Sequence, residues 1–245
     1  MFNIFRSKDT DKTLFFHTDI HSHIVPGVDD GSPDLNTSVS LAKELNALGI
    51  EHIIATPHVT EVTFENTAET LSAPFESLKA ALKAENVNVA IEHAAEYRLD
   101  GFFERSALEP RKFMLYPNNY ILIENSFIQQ ALNFEQIVFD LKTLGLTPVL
   151  AHPERYAYYS TRKKVYQSMH DFEIQFQVNI LSFSGYYGHE VKETAFWLLK
   201  NGLVDFIGTD LHRAKHIELI KKFIGSSDYK KLVKNADVKN DTAFR

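Results

Sequence analysis

Side chains that could bind metal ions follow short apolar segments along this chain of 245 residues. In chain order they are His21, His23, His58, Glu96, Glu124, His152, Asp210 and His212. Because residues i and i+2 of a strand share one face, His21 and His23 can hold one ion together. The same spacing joins Asp210 to His212. Imidazole and carboxylate ligands without thiolate suit Mn²⁺, Zn²⁺ or Fe²⁺ and do not discriminate among them.

Each of these residues, taken alone, is more simply explained as a hydrogen-bonding group at the end of a strand. Eight such groups on one face would be costly to bury unpaired, whereas bound cations would compensate all of them together. The other histidines do not fit this pattern and are expected to be structural or exposed. They are His17, His52, His93, His170, His189 and His216.

Seven short segments rich in Val, Ile and Phe are expected to form buried strands. They are residues 14–21, 50–57, 87–97, 120–125, 147–152, 174–180 and 205–210. Amphipathic helices are expected between them, the first capped by Ser32, with Pro33 as its first residue. Seven β-α units favour a parallel sheet closed into an irregular barrel, with an open doubly wound sheet as the alternative. In a barrel, the carboxyl ends of the strands meet on one face, where these side chains would converge.

Composition argues against several functional classes. The net charge of −6 does not suit a nucleic-acid-binding protein. The absence of cysteine excludes disulfides, thiolate zinc sites and a cysteine nucleophile. No apolar run is long enough for a signal peptide or a transmembrane segment, so we expect a cytoplasmic protein.

The length favours a single domain. We expect this domain over residues 14–225, after an N-terminal extension of residues 1–13. A polar tail, residues 226–245, would follow as a short helix or a loose segment with no assigned chemistry.

The segment Val28-Asp29-Asp30-Gly31 has two interpretations. Asp and Gly form turns readily, so it could simply reverse the chain. Alternatively, one carboxylate could reach over the barrel mouth as a metal ligand. Spacing alone does not decide between Asp29 and Asp30.

Together these motifs resemble the polymerase-and-histidinol-phosphatase (PHP) family. The family motifs are His21-x-His23, Asp30, Thr56-Pro57-His58, Glu96, Glu124, His152 and Asp210-x-His212. The stretches 19–31, 123–126 and 151–156 resemble its capsule-associated tyrosine-phosphatase branch. The resemblance covers about residues 14–216 and implies an α/β fold, a distorted (β/α)₇ TIM-like barrel of the PHP type.

The resemblance also implies three divalent metal ions, often manganese, and it favours Asp30 over Asp29. By resemblance, the first ion is held by His21, His23, Glu96 and Asp210, the second by Glu96, Glu124 and His152, and the third by Asp30, His58 and His212.

The activity implied by the resemblance is hydrolysis of phosphotyrosine by a metal-activated hydroxide. The substrate would be a bacterial tyrosine kinase that regulates capsule or exopolysaccharide synthesis. Arg155 would bind the phosphate, and Asp210 or His212 could donate a proton to the leaving group. Arg213 and Tyr156 are further candidates for binding the substrate, although Arg213 and nearby Lys215 depart from the spacing of the second family arginine.

Aromatic residues near the predicted mouth would suit a tyrosine ring, although loop packing also explains them. They are Tyr97, Phe102, Phe103, Phe127, Tyr156, Tyr158, Tyr159, Tyr186 and Tyr187.

Other functions share part of this pattern. Histidinol-phosphate phosphatases have the same ligand set. Some PHP proteins process nucleic acids, but the net negative charge of this chain argues against that function. Metal amidohydrolases also begin with His-x-His, but they need an eighth strand and usually a bridging lysine. A metal-binding module with a vestigial site is the non-enzymatic alternative.

Overall fold

Parallel strands alternate with helices in the computed structural model, which describes residues 12–106 and 113–244. Most of the predicted N-terminal extension therefore lies outside the described residues. The strands are β1 (Thr18–Asp19), β2 (His52–Ala55), β3 (His58–Val59), β4 (Ala90–His93), β5 (Glu96–Arg98), β6 (Tyr120–Glu124), β7 (Thr147–Ala151), β8 (Gln175–Asn179) and β9 (Phe206–Gly208). The helices are α1 (Leu35–Ala47), α2 (Ala68–Ala84), α3 (Gly101–Ser106), α4 (Phe134–Thr143), α5 (Lys164–Asp171), α6 (Ile180–Ser184), α7 (His189–Lys200), α8 (Ala214–Ile224) and α9 (Ser227–Asn235).

The strands form two parallel sheets, with orders β1-β2-β4 and β3-β5-β6-β7-β8-β9. Only Thr56 and Pro57 separate β2 from β3, and only Ala94 and Ala95 separate β4 from β5. Two continuous stretches of chain therefore contribute to both sheets. Each of the seven predicted strand segments contains a strand, which confirms the predicted alternation of strands and helices.

Backbone hydrogen bonds also join the chain after β9 to the chain after β1. Ser22 and Leu211 form an isolated parallel bridge. The His23 amide donates to Leu211 O at 2.9 Å, and the Asp210 amide donates to His21 O at 2.8 Å. These bonds hold the segment that contains His21 and His23 against the segment that contains Asp210 and His212.

The first helix starts later than expected. Asp34, in an extended conformation, caps α1 by accepting from the Thr37 amide at 2.8 Å. Ser32 is buried and accepts a hydrogen bond from the Ser38 hydroxyl instead. The prediction of Ser32 as the cap and Pro33 as the first helical residue is therefore wrong by two positions.

Residues after position 226 belong to the fold rather than to a loose tail. Helix α9 packs through the buried side chain of Leu232. Beyond it, the Asn240 side chain donates to the main-chain oxygens of Thr18 (2.9 Å) and Ile207 (2.7 Å) and accepts from the Ile207 amide. Phe244 packs against the Phe206 ring, with centroids 5.2 Å apart. The C-terminal segment thus links β1 and β9 away from the predicted ligands.

A small apolar cluster lies beneath the predicted ligands. It comprises Ile20, Ile54, Ala94, Tyr116, Leu122, Val149, Ala151, Phe206 and Phe244. Leu122 and Glu124 share one face of β6, since side chains alternate along a strand. The polar ligands therefore continue the inner face of the sheet at its carboxyl end.

Among the described residues, no helix is long and apolar enough to cross a membrane.

Candidate metal centre and active site

A cavity of about 410 Å³ opens at the carboxyl ends of the strands. Seven of the nine predicted metal ligands line it, namely Asp30, His58, Glu96, Glu124, His152, Asp210 and His212. His21 and His23 are fully buried and contact Glu96. The structure therefore gathers all nine residues at one rim.

Four side chains meet at the base of the cavity, the set expected for the first ion. The Nε2 atoms of His21 and His23 lie 3.2 Å apart. Glu96 Oε2 lies 3.3 and 3.4 Å from these nitrogens, and Asp210 Oδ1 lies 3.5 Å from each. One ligand atom each from His21, His23 and Glu96 lies within 4.8 Å of the others, and Asp210 Oδ1 adjoins the two imidazole nitrogens, an arrangement that suits a metal site.

Acceptors behind the two histidines fix their orientation. His21 Nδ1 lies 2.7 Å from Gln177 Oε1, and His23 Nδ1 lies 2.8 Å from Asp29 Oδ2. Because these oxygens accept hydrogen bonds, both Nδ1 atoms carry hydrogen. The Nε2 lone pairs of neutral rings then point toward Glu96 and Asp210. Such outer partners fix the tautomer of metal-binding histidines.

The surroundings of Asp29 and Asp30 differ and give the two carboxylates different roles. Asp29 also accepts from the amides of Gly31 and His58, each at 3.0 Å. Burial alone would raise the pKa of Asp29, but the His23 ring and these amides outweigh it and lower the pKa to about 2. The Asp30 side chain is 57% exposed, and its Oδ1 lies 3.6 Å from His58 Nε2. Asp29 thus orients a ligand, whereas Asp30 faces the cavity.

Glu96 stands between two groups of donors. Its Oε1 lies 2.9 Å from His152 Nε2, and its Oε2 lies 3.1 Å from His58 Nδ1. Glu124 lies slightly farther from the same two rings, at 3.8 and 3.7 Å. Burial and the neighbouring Glu96 charge raise the pKa of Glu124 to about 7. This placement suits the bridging role expected of Glu96.

A third group lies nearer the surface. One ligand atom each from His23, Asp30, His58 and His212 falls within 4.8 Å of the others. His212 Nδ1 lies 3.0 Å from Asp210 O, which directs Nε2 to Asp30 Oδ1 at 3.5 Å. The trio Asp30, His58 and His212 expected for the third ion is therefore assembled, with His23 beside it.

The donor set fits divalent cations. Glu96 Oε2 and His58 Nδ1 are buried and form no hydrogen bond with the described residues. Burial alone would lower the pKa of His21, but the charges of Glu96 and Asp210 outweigh it and raise the pKa to about 9. The cluster therefore favours positive charge at its centre, which divalent cations would supply without protonating the imidazoles.

Two predicted ligands have a left-handed backbone that is uncommon outside glycine. His152 has φ 35° and Asp210 has φ 50°. Such conformations cost on the order of 1–3 kcal/mol each and persist where the surrounding structure holds them. Each residue lies just after a strand, His152 after β7 and Asp210 after β9. The His152 side chain contacts Glu96, and the Asp210 side chain contacts His21.

Arg155 is held firmly at the cavity wall. Its guanidinium lies between the rings of Phe127 and Tyr187, 4.7 and 4.2 Å from their centroids. Arg155 Nη1 donates to Asp210 Oδ2 at 3.0 Å, and Asn179 Nδ2 donates to the same oxygen at 2.6 Å. The remaining donors of Arg155 are available to an anion in the cavity.

The other substrate-binding predictions have different outcomes. Arg213 is exposed and lines the cavity, whereas Lys215 is paired with Glu218 outside it. Tyr156 has no exposed surface, and its hydroxyl accepts from the Asn125 amide and donates to Ala151 O. Tyr156 therefore supports the loop and is not among the residues that line the cavity.

Among the aromatic residues proposed for the mouth, only Phe127, Tyr186 and Tyr187 line the cavity. Phe64 also lines it and stacks on His58, but the sequence analysis did not select it. Arg98 was missed as well, although strand alternation places it on the same face as Glu96. His216, expected to be structural or exposed, is buried at the cavity wall, with Nδ1 3.2 Å from Asp210 O.

Comparison with known proteins gives consistent matches. The chain matches the family described as "Capsular polysaccharide synthesis, CpsB/CapC" over residues 17–233. It is 29% identical over 237 residues to the tyrosine-protein phosphatase YwqE of Bacillus subtilis (strain 168), covering 93% of each protein. It is 30% identical over 202 residues to the tyrosine-protein phosphatase CpsB of Streptococcus pneumoniae, covering 79% of this chain and 82% of the relative.

The fold gives the same result. The chain is similar to a chain from the crystal structures of B. subtilis YwqE and S. pneumoniae CpsB, described as unique metal-dependent tyrosine phosphatases. The TM-score is 0.75 at 29% identity, covering 89% of this chain and 92% of the other. The resemblance expected from the motifs is confirmed. Because the matched region spans most of the sequence and contains all nine predicted ligands, the chain belongs to the CpsB/CapC family of capsular polysaccharide synthesis.

Proposed function

We propose that this chain is a metal-dependent tyrosine-protein phosphatase that acts in capsule or exopolysaccharide synthesis. The observation that carries the proposal is the convergence of nine imidazole and carboxylate side chains beneath a cavity that Arg155 lines. The phosphatase relatives and the family match support the same activity.

We further propose that the two sheets together form a distorted (β/α)₇ barrel. The Ser22–Leu211 bridge and the Asn240 side chain, which both join the β9 region to the β1 region, support this interpretation. Counting β2 with β3 and β4 with β5 gives seven strand positions. Residues 14–225 would form one domain, to which α9 and the C-terminal segment add.

The ligand assignment that we propose is the one expected from the family, and the contacts around Glu96 support it. Three ions would be held by His21, His23, Glu96 and Asp210, by Glu96, Glu124 and His152, and by Asp30, His58 and His212. When bound, the ions would activate a water molecule as the nucleophile and neutralise charge on the phosphoryl oxygens. Gln177 and Asp29 keep the His21 and His23 rings oriented for this task.

Arg155 would bind the phosphoryl group through its free donors. An arginine held by two aromatic rings and Asp210 loses little conformational freedom on binding, so its contact with phosphate is preorganised. A charged, water-shielded wall of this kind stabilises developing negative charge better than bulk water does.

Neither of the two predicted proton donors is favoured by the proposed ligand assignment, because Asp210 and His212 would both bind metal ions. Burial would raise the pKa of Asp210, but the charges and hydrogen bonds of His21, His23, His212 and Arg155 hold it well below its usual value. Asp210 therefore stays ionised and serves as a ligand. His212 lines the cavity, but its Nδ1 lies 3.0 Å from Asp210 O and its Nε2 would bind the third ion, which leaves no ring proton to donate to a leaving tyrosinate.

The cavity suits an aromatic phosphate monoester. Phe64, Phe127, Tyr186 and Tyr187 form part of its wall above the ligand cluster. A phosphotyrosine side chain is long enough to place its phosphate among the ligands while its ring contacts this wall. A bacterial tyrosine kinase as the substrate protein, manganese as the metal and a cytoplasmic location remain predictions.

A panel of substrates tests the proposal. Purified protein with Mn²⁺ should hydrolyse a phosphotyrosine peptide faster than a phosphoserine peptide or histidinol phosphate, and a chelator should abolish the activity. The double variant His21→Ala, His23→Ala should lose the activity, while the exposed control variant His189→Ala should keep it. Equal rates on all three substrates, or full activity in chelator, would contradict the proposal.

A further inference from the structure

Arg98 has a position in the cavity that the proposed mechanism does not yet use. It ends β5, two residues after Glu96, so its side chain extends toward the same face. Its side chain is 28% exposed and lines the cavity together with Glu124 and Arg155. Strand β6 lies between β5 and β7, which places Arg98 and Arg155 on either side of Glu124.

The contact made by Arg98 leaves most of its donors free. Arg98 Nε donates to Glu124 Oε1 at 3.1 Å. Within residues 12–106 and 113–244, neither terminal nitrogen of Arg98 has a hydrogen-bond or ion-pair partner. An arginine that served only to neutralise a carboxylate would be expected to use two parallel N–H groups. The single contact instead anchors the side chain and leaves its outer edge to the cavity.

Arg213, the other candidate for a second phosphate-binding arginine, is less well prepared. It precedes α8 in an extended conformation and is exposed. Its guanidinium makes no hydrogen bond or ion pair with the part of the chain that the structure describes, whereas the Arg98 and Arg155 side chains are both anchored on buried carboxylates. Ordering Arg213 on a phosphate would cost more side-chain entropy than using an arginine already in place.

We propose that Arg98 is a second phosphate-binding arginine, contacting the substrate phosphoryl group from the β5 side of Glu124 while Arg155 contacts it from the β7 side. This inference rests on the proposed phosphatase function. The guanidinium groups of Arg98 and Arg155, one on each side of the metal-ligand cluster, would recognise the tetrahedral phosphate. They would also retain inorganic phosphate as a product inhibitor.

The test measures phosphate binding separately from turnover. Arg98→Lys keeps the charge and can still pair with Glu124, but it loses the planar fork. Equilibrium dialysis of radiolabelled inorganic phosphate against the manganese-loaded protein gives the affinity, and elemental analysis gives the metal content. Arg105→Lys is the matched control, because Arg105 is exposed and pairs with Glu61 outside the cavity.

We expect Arg98→Lys to bind phosphate about tenfold more weakly, with KM raised and metal content unchanged. Arg105→Lys should match the unaltered protein. Unchanged phosphate affinity in Arg98→Lys, or a loss that parallels loss of metal, would overturn the proposal. A loss in Arg213→Lys but not in Arg98→Lys would assign the role to Arg213. Phosphate binding is measurable even if phosphotyrosine is not hydrolysed, so the two proposals can fail separately.

Discussion

At the scale of single residues, the site depends on side chains that orient ligands as much as on the ligands. The sequence predicted which residues converge at the site, because His, Asp and Glu at strand ends follow a recognisable pattern. Spacing alone left Asp29 and Asp30 equivalent, since adjacent carboxylates differ only in their surroundings, and only the family resemblance favoured Asp30. The structure places Asp29 against His23 and Asp30 beside His58 and His212.

Replacing Asp29 with Asn should weaken metal binding without removing a ligand. The amide cannot hold His23 Nδ1–H as strongly, so the ring loses its fixed tautomer, and loss of such partners typically reduces metal affinity by about 10–100-fold. Metal content measured against free Mn²⁺ would show this shift. Asp171→Asn, an exposed change that affects a bond to Gln167, should leave the curve in place. Identical curves for all three proteins would contradict the role of Asp29.

Glu154 gives a prediction about pH. Its Oε1 accepts from the Asn179 amide and the Ser182 hydroxyl, while burial raises its pKa to about 7 from the usual 4.5. Because the folded state favours the protonated form, this contribution to stability is complete below about pH 4.5 and is lost as pH rises through 7. Glu154→Gln does not titrate.

The free energy of unfolding of the unaltered protein should therefore fall by about 2 kcal/mol relative to that of Glu154→Gln between pH 5 and pH 8. Denaturant unfolding of the metal-free proteins at both pH values measures this difference, and titrations common to both proteins cancel. A difference that does not change with pH would show that Glu154 is ionised in the folded protein at pH 5.

At the scale of secondary-structure elements, the strands were predictable and their supporting contacts were not. No chemistry was assigned to the segment that forms β8, because Gln and Asn are poor candidates for metal ligands. Yet Gln177 orients His21, and Asn179 donates to Asp210. Arg98 on β5 was missed for a related reason, since an arginine among carboxylates has no characteristic spacing.

Gly208, at the end of β9, tests how closely these elements pack. A β-carbon there would lie 2.6 Å from His21 Cβ and 2.7 Å from Gln177 Nε2. Gly208→Ala should therefore displace both side chains, lower stability by about 1–3 kcal/mol and reduce metal content. Gly225→Ala is the control, because its nearest neighbour would lie 3.7 Å away. Normal metal content in Gly208→Ala would contradict this close packing.

At the scale of the whole molecule, the motifs predicted an α/β fold with a parallel sheet, but the polar composition after position 226 concealed the contribution of the C-terminal segment to that fold. Polar residues usually indicate an exposed segment, and only tertiary contacts distinguish a buried asparagine from a solvated one. Asn240 is buried and bonds the main chains of both β1 and β9. The segment therefore supports the fold at the end opposite the metal ligands.

Removing the Asn240 amide should destabilise the whole protein. Asn240→Ala would leave main-chain groups of Ile207 and Thr18 without partners, a loss of about 2–4 kcal/mol in the free energy of unfolding. Asn235→Ala is the control, because Asn235 only donates to Lys231 O within α9. Equal unfolding midpoints for both variants would show that the C-terminal segment adds no stability.

The central claim is that donors distant in sequence hold divalent cations at one rim. Anomalous diffraction at the manganese absorption edge, from crystals grown with Mn²⁺, tests it most directly. We predict anomalous peaks around Glu96, flanked by the His21–His23 pair, by Glu124 with His152, and by His58 with His212. Crystals that retain Mn²⁺ but show no peak in this cavity would contradict the account.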